Sequence, residues 1–310
     1  MKKRLMMLVL LVVVLLSVGC TTYIKEDNKS VIYEPTGQTL ASNILCKPVG
    51  EDLYNFYKEH EGGMEKKLDE LPTCQDFKPS DLGYKNLWET ILIKPIAWLI
   101  LKVGQFVGNY GISVMLMSLI IRALMIPLSI KSMSQSENMK KLQPEIKKIE
   151  KKYANKNDKE SQLAKSQEMM LLYKKYNINP VSGCLSAFIQ LPLFFAFLEA
   201  INRVPAIFEG TLFGMNLGMT PLVGLSHGNY IYVVLIVLII VSTYISFKYS
   251  MASADNGAAG QMKFMMMFML VMISVASLSL PTAIALYWIV NNVFAIVQSF
   301  IIKKSSERRK

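Results

Sequence analysis

The chain has 310 residues, of which 52% are hydrophobic and 18% charged, and its 34 Lys and Arg against 23 Asp and Glu leave a formal charge of +11. That balance excludes an ordinary soluble domain and describes a basic protein with several membrane spans. The basic residues gather between apolar segments and at the C-terminus, where positive charge sets topology and meets anionic lipid, so DNA is not called for as a partner.

The first residues, "MKKRLMMLVLLVVVLLSVGC", place Lys2, Lys3 and Arg4 before a short apolar stretch from Leu5 to Val18. Residues 1–19 have the form of a secretory signal peptide. Gly19-Cys20 is similar to a bacterial lipobox, in which Cys20 is lipidated and becomes the mature N-terminus. Ser17 departs from the leucine commonest at that position, and an uncleaved signal anchor is the competing reading. Residues 20–85 follow as an exported segment or tether, polar and broken by Pro35, Pro48, Gly62-Gly63, Pro72 and Pro79. Cys46 and Cys74 lie in it and could form a disulfide outside the cytoplasm, although two cysteines make a thin pattern. His60 and His227 stand apart from each other and from any cysteine, so they are expected as exposed loop residues, and no spacing suggests a metal site or another cofactor.

Residues 86–104 place Trp88 and Trp98 near Lys85, Lys94 and Lys102, with Leu87, Ile91, Leu92, Ile96, Leu99 and Val103 between them. An amphipathic helix lying at the outer interface fits, kinked at Pro95, and a half-span is the alternative. The core, 105–302, holds five apolar segments at about 110–130, 181–201, 229–247, 262–280 and 282–302. Between Lys140 and Lys175 there are eleven lysines against five acids, the loop from Val204 to Asn229 has no Lys or Arg, and the tail 303–310 carries five basic residues. Positive charge on the cytoplasmic side therefore puts the lipidated end outside and the C-terminus inside.

The polar insert 132–177 has a helical seam of its own at Met139, Leu142, Ile146, Ile149 and Tyr153. "ANKND" at 154–158 breaks it, and a second helix from about Lys159 to Tyr176 offers Leu163, Met169, Leu172 and Tyr176. A cytoplasmic helical hairpin results, either a plain spacer or a basic surface for ribosomal RNA, anionic lipid or a nascent chain.

One residue in the first apolar segment asks for a reason. "SLIIRALMIPL" puts Arg122 about midway along it, where an arginine costs from roughly 3 to more than 10 kcal/mol unless something solvates it. Arg122 must then face protein, water or a passing charge. The last segment adds Tyr287 and Asn291 at i and i+4, with Trp288 and Asn292 alongside, so its polar groups share a side of the helix. No paired carboxylates or Ser–His arrangement lies in a span, and no glycine loop for nucleotide is present, so the chain does not read as an enzyme.

"NYGISVMLMSLIIRALMIPL", the charged hairpin, "YNINPVSGCLSAFIQLPLFFAFLEAI" and "LPTAIALYWIVNNVFAIVQ", in this order from Leu87 to Ile302, resemble the YidC-type membrane protein insertases. The lipidated N-terminus looks like the Gram-positive form. That resemblance implies an all-α polytopic fold whose five-transmembrane-helix core encloses a hydrophilic groove, open to the cytoplasm and to lipid but closed outward. It implies that Arg122 sits in this groove and that Gln190 and Trp288 line it or touch substrate; Tyr287 and Asn291 join the candidate set from their helix positions. Nascent membrane proteins are the implied clients, with membrane lipid, the Sec translocon and the ribosome as candidate partners, and partitioning rather than nucleotide as the energy source. Ser186 replaces a more usual proline, and the region 21–85 is longer than expected. The rival reading is a small transporter or channel with an anion site at Arg122, which would call for internal repeats that five spans and one large hairpin do not display. A third is a scaffold that tolerates loss of Arg122.

Overall fold

The computed structural model describes residues 21–127, 130, 142, 144–154, 156, 158–176, 182–251 and 259–307. Cys20, the signal segment and Met139 lie outside them. The chain divides into two compact units, the first drawn from residues 1–120, 191–239 and 275–290 and the second from 121–190, 240–274 and 291–310.

The first unit opens with a finding the sequence did not announce: residues 21–85 are more than a tether. Strand β1 (Lys25–Glu26) pairs with β2 (Lys29–Ser30) through Asp27 and Asn28, both at positive φ (49° and 63°), the backbone a two-residue hairpin turn needs. Strands β3 (Ile32–Tyr33) and β4 (Gln38–Thr39) pair next, and helix α1 (Glu51–Glu59) turns Leu53 and Tyr57, one turn apart, inward. Ile24, Leu40, Ile44, Leu53, Tyr57, Leu68 and Leu71 form one buried core. Cys46 and Cys74 are joined by a disulfide across 28 positions. The region escaped notice because strands of two residues leave no periodicity to read, and because its apolar residues are scattered among turns. A core this small is helped by a covalent staple. His60 is half-buried at the end of α1, its Nδ1 2.8 Å from the Phe56 carbonyl, rather than a free loop residue.

A wide π turn over Glu89–Ile93 leads into α2 (Lys94–Val107), where Pro95 has no N–H to return to the preceding turn. Gly108, at φ 74°, ends α2, and α3 (Tyr110–Leu124) starts at once. Asn109 caps it by accepting from Gly111 and Ile112. The tight reversal works because the Tyr110 ring packs on Gly104, where any Cβ would collide with it. Ser113 Oγ then donates to the Ile100 carbonyl and ties the two helices together.

In the second unit, helical residues 144–152 lie against α4 (Lys159–Lys175), which Asp158 caps by accepting from Ser161 N. Leu142, Ile149 and Leu172 form the centre, with Ile146, Tyr153, Met169 and Tyr173 around them. Two expected seam residues sit elsewhere. Leu163 is exposed, and Tyr176 is exposed but donates its hydroxyl proton to Glu145. Tyr173, four residues after Met169, packs against this centre in their place.

The remaining elements are α5 (Ser182–Asn202), α6 (Pro205–Phe208), a hairpin of β5 (Thr211–Leu212) and β6 (Met215–Asn216), α7 (Pro221–Ser226), α8 (Ile231–Met251), α9 (Ala259–Ser279) and α10 (Thr282–Glu307). Among the described residues, Glu89–Val107, Ile231–Tyr249 and Thr282–Ile301 are long and apolar enough to cross a membrane, and Tyr110–Leu124, Pro192–Asn202 and Met267–Ser279 are shorter apolar helices.

Candidate functional site

Arg122 occupies the last turn of α3, half-buried, and its Nε donates to Asn291 Oδ1 at 2.5 Å. Asn291 is only 7% exposed. This contact meets part of the cost of a cation in an apolar helix with a hydrogen bond that carries no opposing charge. The next residue of α10 is used differently: Asn292 Nδ2 donates to Thr243 Oγ1 at 2.8 Å and Ser242 Oγ at 3.2 Å on α8. Ser242, Thr243 and Ser246 are all buried, so α8 presents a polar stripe within an otherwise apolar helix. In the second unit α10 is thus stitched by amides to α3 on one side and α8 on another.

The other candidates are placed as follows. Tyr287 belongs to the first unit and is buried, 3% exposed, its ring stacked on Phe197 at 4.2 Å between centroids. Trp288 is half-buried and meets Phe194 edge to face at 5.3 Å. The residues flanking the polar part of α10 therefore take aromatic packing against α5. Gln190 lies in α5, its side chain outside the described residues.

A second polar cluster, in the first unit, was not foreseen. Arg203, just past the end of α5, puts Nη1 2.8 Å from Glu89 Oε2 and donates from Nε to the Asn43 carbonyl at 2.7 Å, while its own carbonyl accepts from Leu45 N. Lys94 Nζ stands 3.6 Å from Glu89 Oε1 and donates to the carbonyls of Asp81 and Gly83. Trp88 Nε1 donates to Glu199 Oε1 at 3.2 Å. All five side chains are buried. Nearby, Glu209 accepts from Val49 N and Gly50 N at the start of α1. Lys102 Nζ also donates to the Gln75 carbonyl. The folded N-terminal region thus contacts α2 near both its ends. The available signal was charge at the margins of apolar segments, Glu89 and Lys94 on one, Glu199 and Arg203 on another, which is also where unremarkable boundary charges occur. Among the described residues no group of His, Cys, Asp and Glu could hold a metal ion.

The 60Kd inner membrane protein family matches residues 102–309. The chain is 36% identical over 230 residues to membrane protein insertase YidC 2 of Bacillus anthracis, covering 74% of this chain and 85% of that one. It is 35% identical over 235 residues to membrane protein insertase MisCA of Bacillus subtilis strain 168, with 75% and 86% covered. A crystal structure of an active YidC insertase with its first transmembrane domain resolved superposes with a TM-score of 0.52 at 23% identity, over 70% of this chain. This chain covers 47% of that structure's chain, and the likeness is one of fold.

Proposed function

The chain belongs to the 60Kd inner membrane protein family, and from that premise we propose that it is a membrane protein insertase and chaperone of the bacterial cytoplasmic membrane. The observation that carries the mechanism is Arg122 hydrogen-bonded to Asn291 inside apolar helices. In this reading Arg122, Asn291 and Gln190 belong to a hydrophilic groove in a core of five spans, and Tyr287 and Trp288, about one turn earlier on α10 than Asn291, line it or contact the client. A short polar flank of the entering protein sits near the cation while its apolar helix moves sideways into lipid.

The energetics need no covalent step. Burial of about twenty apolar residues, at ~25 cal/mol per Å² of apolar surface, drives the transfer. The obstacle is the polar flank, whose desolvation costs about 2–7 kcal/mol for each unmatched polar group. A hydrated cation lowers that obstacle for an acidic flank, more strongly in a medium of low dielectric than in water. The work divides between lipid, which supplies the driving force, and Arg122, which reduces the barrier.

The surrounding assignments follow from the same reading. Residues 1–19 are a signal peptide, Cys20 carries the lipid, the N-terminal domain is outside and the basic tail inside. The segment 86–104 lies along the outer interface rather than crossing, although Glu89–Val107 is long enough to cross. Lys94 bonds the carbonyls of Asp81 and Gly83, and Lys102, two turns on, bonds that of Gln75, so the polar N-terminal domain accompanies the helix along its length. These bonds support the interfacial reading over the crossing one. Nascent membrane proteins and lipid are the partners, with the Sec translocon and the ribosome as further ones.

The test is insertion of a single-span client with an acidic exported flank into proteoliposomes. Arg122→Ala is expected to lose insertion and Arg122→Lys to retain part of it. Insertion by the alanine variant at the wild-type rate would refute the proposed role of the charge.

A further inference from the structure

Asn291 and Asn292 are adjacent on α10, so their side chains leave the helix about 100° apart. One reaches Arg122 on α3, and the other reaches Ser242 and Thr243 on α8. The atom that Asn291 engages matters. Nε is the guanidinium nitrogen bonded to the side-chain stem, and it lies in the plane of the group with both Nη atoms. An acceptor held against Nε restricts rotation about the Cδ–Nε bond and so sets the plane in which the Nη atoms lie. Lysine has no corresponding atom. The chemistry of the acceptor matters as well: an aspartate in that place would hold the same proton and cancel the charge, whereas an amide holds it and leaves the charge in place.

We infer that Asn291 is a positioning residue, which fixes the orientation of the Arg122 guanidinium toward an acidic client flank instead of binding the client itself. Asn292, bonded to two hydroxyls of α8, holds α10 at the rotation and height that deliver the Asn291 amide to Nε. This inference rests on the insertase reading and assigns a part within it.

The full chain, labelled with 15N-arginine in lipid nanodiscs, gives an Nε–Hε signal for Arg122 that is assigned by its loss in Arg122→Lys. In Asn291→Ala that signal is expected to shift and its exchange with water to speed up. The ratio of acidic-flank to neutral-flank client insertion is expected to fall about three- to tenfold, the range for a hydrogen bond between membrane helices. Asn291→Asp is expected to keep the signal protected while the ratio falls further, because the position survives and the charge does not. If Asn291→Ala lowers both clients alike, leaving the ratio at the wild-type value, or leaves the Arg122 signal in place, the inference is overturned and Asn291 is only a stitch between helices. Asn291→Ser, which is too short to reach Nε, replaces the alanine variant if that one does not fold. Should Arg122→Ala insert both clients normally, the insertase role of the charge fails, and the Nε–Hε signal still reports separately on whether Asn291 orients the arginine.

Discussion

Replacing Arg203 by methionine tests whether the N-terminal domain is held to the helices by matched buried charge. Arg203 and Glu89 are 3% and 6% exposed and 2.8 Å apart, and the substitution removes the cation while nearly keeping the volume. Removing one partner of a buried pair costs about 3–5 kcal/mol because the other charge is left in a medium that solvates it poorly. The lost Nε donation to the Asn43 carbonyl adds about 1 kcal/mol. Against this, Lys94 remains 3.6 Å from Glu89 and offsets part of the loss. The low end, about 3 kcal/mol, is the expected value, which at 1.4 kcal/mol per decade is roughly a 150-fold rise in the open population of residues 21–85. Pulse proteolysis against urea, on full-length protein in nanodiscs, measures it through cleavage within that region. Removing both charges, as Glu89→Gln with Arg203→Met, is expected to cost less than the two single losses together, because Glu89 is then no longer a buried carboxylate short of its nearest cation. A change under 1 kcal/mol in Arg203→Met, or strict additivity in the double variant, would refute the reasoning.

Three further outcomes are expected. Reducing the disulfide, or making Cys46→Ser with Cys74→Ser, frees a 28-position loop and is expected to lower the stability of the N-terminal domain by roughly 3.6 kcal/mol on the loop-entropy relation, read from the same proteolysis midpoint. The Glu61 carboxyl is held below its ordinary value of 4.5, first by the Leu68 N–H and then by Lys58. Its contribution is therefore full above that value and lost as pH falls through the lowered one, and Glu61→Gln should flatten the acid limb of a stability–pH curve; an unchanged limb would count against the assignment. Leu172→Ala, at the centre of the pair formed by residues 144–152 and α4, should cost about 2–4 kcal/mol and appear as faster amide exchange over Lys159–Lys175, with no such change for exposed Leu163→Ala.

How far the sequence could be read varies with the range of the interaction that decides each feature. A helix beginning at Lys159 follows from local signals, an Asp158 cap and a break in the preceding seam, and α4 begins there. Which of its residues face inward depends on the partner, and there the seam reading chose Leu163 and Tyr176 where Tyr173 packs. Arg122 stands out from sequence because its cost in an apolar run is high whatever the fold, and Asn291 because polar residues in such a run are few. That Arg122 Nε meets Asn291 Oδ1 spans 169 positions, and no local pattern encodes it. The cluster of Glu89, Lys94, Glu199 and Arg203 was hidden for the same reason: each residue looks like an ordinary helix-end charge until two distant segments are brought together. The N-terminal domain was least legible of all, its two-residue strands too short for any period and its turns suggesting a linker.

The two polar clusters solve the same problem in opposite ways. Around Arg203, two carboxylates lie among two cations in a buried setting, with backbone carbonyls taking further donors. Such an arrangement loses its balance when any one charge is removed, and it suits a joint that stays closed. The Nε of Arg122 is met instead by a neutral amide, that of Asn291. A carboxylate there would add the attraction of an opposite charge to a bond that the cationic donor already strengthens. It would also cancel the field that, in the proposed mechanism, acts on an acidic flank. An amide at Arg122 Nε holds the side chain without adding a negative charge at that point, which suits the proposed role of the cation.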